Sequence, residues 1–212
     1  MPRLTFRVVS ASVLARTLSP LIALTVGVDH ADAAEEVEAV LLSCQVRIDA
    51  ERRGYADSER EKLGDLFGGP GQWGRSLRGL LWTHASATVA PFREKAVVDL
   101  HLPCSSDLSV GAAKYFYSLD GGQIPLTLQF SGTVFYKVGD LRQVARIPWD
   151  CESTFSLDVA VWKNMMAEHY PGSGFVSLRT DVLDRLYRYR VRLGLPTWDH
   201  AVERLLAAER DS

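Results

Sequence analysis

The sequence predicts an α+β fold: a β-rich, antiparallel, sandwich-like body with inserted short helices, followed by a C-terminal helical hairpin. Three observations carry this. Apolar and polar residues alternate with a two-residue period over several separate stretches, the mark of strands with one buried face. Those stretches come in runs joined by Gly/Asp turns, without the strand–helix alternation of a doubly wound sheet. From about residue 158 the apolar spacing changes to three and four, as on helices. The expected division is a body over 1–157 and a helical part over 158–212 packed on it as one unit.

Taken in order, Phe6, Val8 and Ser10, then Ile22, Leu24, Val26 and Val28, predict two N-terminal strands. The same region could be a secretory signal, with Arg3 and Arg7 before an apolar stretch and Ala31-Asp32-Ala33 after it. Arg16 and Pro20 interrupt that stretch, so strands are the expectation. Val40, Leu42, Cys44, Val46 and Ile48 alternate with Leu41, Ser43, Gln45, Arg47 and Asp49 as a third strand. Val98, Leu100 and Leu102 predict a further strand, and Ile124 to Phe130 another. Gly132 is expected to separate that strand from Thr133 to Val138. Val138-Gly139-Asp140-Leu141 reads as a hairpin tip leading to a strand near Arg142 to Ile147.

Helices are expected where caps and breakers bracket the right spacing. Asp57 to Glu61 opens one, with acidic side chains at its positive end, and Gly68-Gly69-Pro70 stops it. Leu77, Leu80, Leu81 and His84 suggest a short second helix, and Val110 to Leu119 a third. Asp158 to Tyr170, stopped by Pro171-Gly172, carries Val161, Trp162, Met165, Met166 and His169 on one side. Phe175 to Arg179 reads as a short strand. Thr180 then caps a helix bearing Val182, Leu183, Leu186 and Tyr189, Gly194 ends it, and Pro196-Thr197 starts a last one with Ala201, Val202, Leu205 and Leu206.

Composition limits the function classes. The chain of 212 residues has 24 Lys+Arg against 26 Asp+Glu, a net charge of -2, which excludes a globally basic nucleic-acid coat. No run of about 18 apolar residues occurs, so no membrane-spanning helix is expected. Cys44, Cys104 and Cys151 form no disulfide framework, which points to a reducing, cytoplasmic setting.

Chemical motifs are sparse. Gly69-Pro70-Gly71-Gln72-Trp73-Gly74 has the letters of a dinucleotide loop, with Glu94 20 residues on. However, a helix precedes it where a strand is needed, and Pro70 lacks an N–H, so a turn between helices is expected and no cofactor. His101 and Cys104 are the weak metal-ligand candidates. Neither belongs to a paired Cys-x-x-Cys or His-x-x-x-His, and buried cysteine acting as a small hydrophobe is the simpler reading. Ser76 lacks the nucleophile-elbow spacing, and Asp99, Asp107 and Asp150 have no catalytic partner in the sequence. No catalytic residue is assigned.

The C-terminal segment is richer. Arg185, Arg188 and Arg192, with Tyr189 and Trp198, combine guanidinium forks with aromatic anchors and are the expected protein-binding residues. Strand–helix–turn–helix over 175–208 also has the layout of ribbon-helix-helix DNA-binding proteins. With Arg179, Arg185, Arg188, Arg190 and Arg192, it makes DNA binding the second reading. A metal-handling role through His101 and Cys104 is the third.

Strings along nearly the whole chain, Cys44-Gln45-Val46-Arg47-Ile48, Leu66-Phe67-Gly68, Leu81-Trp82-Thr83-His84, Ala113-Lys114-Tyr115-Phe116, Phe130 to Tyr136 and Leu195-Pro196-Thr197-Trp198-Asp199, carry a resemblance. The chain resembles a bacterial family of uncharacterised proteins often encoded beside nickel–iron hydrogenase genes. That resemblance implies a non-enzymatic accessory, assembly or scaffolding protein that binds another protein, a hydrogenase subunit or maturation intermediate being the first candidate. It also implies that the N-terminal strands belong to the mature fold.

Overall fold

A computed structural model of the protein describes residues 2–31, 35–105 and 110–210. Asp32 and Ala33 of the signal-like triplet, and Asp107, lie outside the described residues. The chain divides into two compact units, Met1–Ser173 and Gly174–Ser212.

The first unit is α+β, built on two antiparallel sheets. One has the order β1 (Leu4–Val13), β2 (Leu21–His30), β5 (Lys95–Pro103). The other has the order β4 (Leu80–Val89), β3 (Glu36–Ile48), β6 (Gln123–Val138), β7 (Leu141–Arg146), with β8 (Glu152–Asp158) also on β6. Their apolar faces share one core. Phe6 from the first sheet stacks on Phe130 from the second, ring centroids 4.6 Å apart. The alternation in β3 is the clearest cause: Val40, Leu42, Cys44, Val46 and Ile48 are all buried, and burying each such side chain stabilises the fold by roughly 1.5–3 kcal/mol.

Irregularities explain where sequence pattern and structure differ. In β1 a register shift between Val8 and Ser10 turns Ser10 outward and brings Ala11 and Val13 towards the core. Residues 80–84, expected to be helical, are strand β4. A bulge opposite Val46/Arg47 inserts Trp82 as the extra residue, and the shifted phase spaces buried Trp82 and Ala85 three apart, as a helix would. The helix near that point is the short α2 (Trp73–Ser76). Gly132 does not end a strand, because β6 runs through it for 16 residues. At φ 145° it lies so close to β3 that a Cβ would stand 2.0 Å from the Leu41 carbonyl oxygen.

β6 is thereby a spine. β3 pairs along one edge, while β7 takes Thr133–Val138 and β8 takes Gln123–Gln129 on the other. The link between them is pinned by Ile147 N–H to Gly132 O (3.0 Å) and Phe130 N–H to Cys151 O (2.8 Å).

Helices close the core. In α1 (Asp57–Phe67), Leu63 and Phe67 point inward. Phe116 of α3 (Val110–Ser118) lies between Trp82 of β4 and Trp162 of α4 (Val159–His169), at 4.9 and 5.0 Å. Asp158 caps α4 by accepting from Ala160 N–H at 2.8 Å. With Trp162, Met165 and Met166 buried in the common core, α4 belongs to the first unit, and the division falls after Ser173 instead of at 157/158.

The second unit holds α5 (Thr180–Arg192) and α6 (Trp198–Arg210). Gly194 at φ 64° supplies the left-handed turn after α5, and Thr197 caps α6 by accepting from His200 N–H at 3.3 Å. The expected strand over Phe175–Arg179 is not one: residues 173–179 belong to no sheet. A strand requires a hydrogen-bonded neighbour, and none of the described strands is paired with this segment.

Candidate functional site

Four of the five residues expected to bind protein converge. Arg185, Arg188, Tyr189 and Arg192 lie at i, i+3, i+4 and i+7 of α5, one face by helical geometry, and together line an open hollow of about 280 Å³. A hollow of that size built from a single helix is below the range of enclosed small-molecule sites and suits a docking surface. Among the described residues no carboxylate is within ion-pair distance of Arg185, Arg188 or Arg192. Arg192 leans on the Tyr189 ring, guanidinium to centroid 6.0 Å. Three guanidinium forks on one face, each able to hold two acceptor oxygens, fit a carboxylate-rich or phosphate-rich surface.

Trp198, the fifth, stands elsewhere. Its ring lies 4.3 Å from the Arg190 guanidinium, which also covers Tyr187 at 5.4 Å. The three side chains form a layered contact that ties the start of α6 to α5, worth roughly 0.5–2 kcal/mol per cation–π pair. Arg190 therefore acts within the hairpin, a role its place in a run of arginines does not reveal.

Glu35, Glu36 and Glu38 make a short acidic run at the start of β3, and the charges of Glu36 and Glu38 are answered inside the first unit. Arg93 meets Glu36 at 2.8 Å, and Glu38 receives Lys137 at 2.9 Å and Arg142 at 3.1 Å. The Lys137 hydrogen bond, helped by Arg142, holds the Glu38 carboxyl below its usual range.

The weak metal candidates are not brought together. His101 lies on the exposed side of β5 opposite Ala23, while Cys104 is buried and donates through Sγ to Leu102 O at 3.3 Å. No group of three or more His, Cys, Asp or Glu among the described residues is placed to hold a metal ion. Burial pushes the Cys44 and Cys104 thiols up to about 12, so both are protonated small hydrophobes at neutral pH. The glycine string at 69–74 runs from the turn after α1, through Pro70–Gln72, into the first two residues of α2, with Trp73 Nε1 donating to Gly68 O at 2.9 Å.

One constellation has no signal in the sequence. Glu59 is buried at 4% exposure and accepts four hydrogen bonds. Two come from Arg53 (3.0 and 3.3 Å), one from Asp120 N–H (2.9 Å) and one from Ala56 N–H (3.0 Å). Burial pushes its carboxyl up, but the Arg53 guanidinium and the two N–H groups outweigh that and hold it below the ordinary value. Beside it, Tyr55 donates to Ala50 O at 2.7 Å, leaving its oxygen to accept from the Tyr115 hydroxyl at 2.7 Å. Burial raises both phenols. These groups join the start of α1, the end of α3 and the loop before β6, and they are saturated by one another.

The fold and surface define a class: a two-sheet α+β body carrying a C-terminal helical hairpin with an arginine-lined hollow. The whole chain, residues 1–212, matches a family of unknown function designated DUF6084, and the protein belongs to that family. No curated protein matches it. No described helix is long and apolar enough to cross a membrane.

Proposed function

We propose that this protein is a non-enzymatic, cytoplasmic accessory or assembly factor that binds another protein through the α5 hollow. The observation that carries the reading is the convergence of Arg185, Arg188, Tyr189 and Arg192 on one helix face, with no carboxylate to satisfy the arginines among the described residues. The partner it fits presents acidic side chains around an aromatic or apolar contact, because guanidinium forks hold carboxylates in pairs and Tyr189 supplies area. The resemblance to proteins encoded beside nickel–iron hydrogenase genes makes a hydrogenase subunit or maturation intermediate the first partner to test.

Co-purification at native expression, wild type against Arg185→Glu/Arg188→Glu, tests it. Retention of the same acidic protein by wild type, lost on charge reversal and weakened by salt, supports the reading. Equal retention by both, or no reproducible partner, refutes it. DNA binding is the second reading, because the same forks fit phosphates. Retardation of duplex DNA at physiological salt, abolished by Arg179→Ala/Arg185→Ala, would favour it over protein binding.

A further inference from the structure

Strand β7 ends the second sheet, and among the described strands it pairs with β6 alone. The register fixes which of its backbone groups are left over. Ile147 N–H donates to Gly132 O, and the pairing runs on without a shift from Arg146–Thr133 to Leu141–Val138. Hydrogen-bonded and non-hydrogen-bonded pairs alternate along an antiparallel ladder, so Ala145, Gln143 and Leu141 are the residues that bond to β6. Arg142, Val144 and Arg146 therefore aim three N–H and three C=O groups away from the sheet. Edges are commonly blunted by proline, a bulge or a covering element. β7 has no proline, its pairing has no bulge, and all of its residues but Ala145 are exposed. Val144 is 62% exposed, and the turn closed by Cys151 N–H to Pro148 O at 3.3 Å holds Trp149 out at 93%.

The side chains select the occupant. Arg142, Val144 and Arg146 share the outer face of β7, opposite Lys137, Phe135 and Thr133 of β6. Glu38 answers Lys137 and Arg142 together, and Arg146 makes no ion pair among the described residues. This row thus carries spare positive charge on either side of an apolar residue. A second copy does not fit it. Laid antiparallel about Val144, it would set Arg142 against Arg146 twice; laid parallel in register, it would set each arginine against itself. Like charges directly opposed are destabilising. The strand that does fit has carboxylates opposite Arg142 and Arg146 and an apolar side chain opposite Val144. That pattern, acid–x–apolar–x–acid, reads the same in both directions, so it holds for either polarity of the added strand.

We infer that the β7 edge is a strand-addition site for an extended acidic segment of another protein. Backbone bonds along Arg142, Val144 and Arg146 hold the segment, and the two arginines and Val144 choose its sequence. Trp149 offers an aromatic anchor just past the end of the strand. The site belongs to the first unit and does not rest on the α5 hollow.

A fluorescent peptide, Ser-Thr-Glu-Thr-Val-Thr-Glu-Thr-Ser, titrated into the full chain and followed by anisotropy tests this. The wild type should bind it, and lysine in place of both glutamates should weaken binding at least about tenfold. Arg146→Glu should do the same. Val144→Pro removes an outward N–H and no ladder bond to β6, and should also cost at least about tenfold. If the proline variant fails to fold, Arg146→Glu and the lysine peptide decide. Amide hydrogen exchange by NMR reads the geometry: Arg142, Val144 and Arg146 should exchange fast in the free chain and slow with peptide, while Gln143 and Ala145 are slow in both. Arg185→Glu/Arg188→Glu should bind the peptide as the wild type does, which separates this site from the hollow. No binding by the wild type, equal affinity for the lysine peptide, or binding without protection of those three amides overturns the inference. So does binding lost on Arg185→Glu/Arg188→Glu and kept by Arg146→Glu, or protection of the three amides in the free chain by a second copy.

Discussion

Replacing Glu59 by alanine leaves the Arg53 guanidinium buried without its counter-charge and strands the N–H groups of Ala56 and Asp120. The side chains of Arg53 and Glu59 are 10% and 5% exposed, so water does little to replace the lost partner. Removing one member of such a pair costs about 3–5 kcal/mol. The two orphaned N–H groups add roughly 1 kcal/mol each unless water enters, and Arg53 recovers part through its bonds to the Gly121 and Gln123 carbonyls. The expected net loss is about 4 kcal/mol, or a fall of about 10 °C in Tm for a unit of this size. Urea unfolding followed by tryptophan fluorescence reads it. Glu59→Gln, which keeps an acceptor, should lose about half as much. The sign of the pH dependence is fixed by the lowered carboxyl. Its contribution is full above the ordinary value of 4.5 and disappears as pH falls through the lower folded value. The gap between wild type and Glu59→Gln should therefore narrow below about pH 4.5. A loss under about 1 kcal/mol for Glu59→Ala, or a gap that widens in acid, would refute the reasoning.

Gly132→Ala places a methyl against the Leu41 carbonyl and should cost more than about 3 kcal/mol in chemical denaturation. Gly139→Ala, at φ 59° with open space around it, should cost only about 1–2 kcal/mol, and equal losses would contradict this. Iodoacetamide applied to the folded protein at pH 8 should modify half-buried Cys151 well before Cys44 or Cys104, by mass spectrometry of peptides. Early labelling of Cys44 would show that the core is open. Arg190→Ala removes the cation between Tyr187 and Trp198 and should blue-shift or redistribute Trp198 emission, with about 1 kcal/mol lost from the hairpin.

Strand β3 was legible because every second residue from Val40 to Ile48 is buried, so its period survives in the letters. β4 was not, because the bulge at Trp82 shifts its phase and leaves apolar residues at helical spacing. β8 was also illegible: in Glu152–Asp158 only Phe155 and Leu157 are large and apolar, too few to set a period. The Arg cluster of α5 was visible because one helix carries it at local spacing. The separation of Trp198 from it depends on where Arg190 points, which is tertiary. Glu59 reads as an ordinary first-turn acid because, although Arg53 and Ala56 lie just before it in sequence, Asp120 reaches it only once α1, α3 and the loop before β6 are assembled.

The spine strand has a consequence for synthesis. β3 leaves the ribosome early, but the neighbour that pairs along nearly its whole length, β6, is encoded some eighty residues later, and β7 and β8 follow β6. β2 likewise waits for β5, so among the described strands the β1–β2 hairpin is the sheet contact that forms without a later partner. Pairing over such separations is slow, and apolar strand faces stay uncovered meanwhile. Because α4 adds Trp162, Met165 and Met166 to the common core, the body can close only after α4, ending at His169, has emerged. Chaperone demand should accordingly peak while β3, β4 and β5 are out and β6 is not.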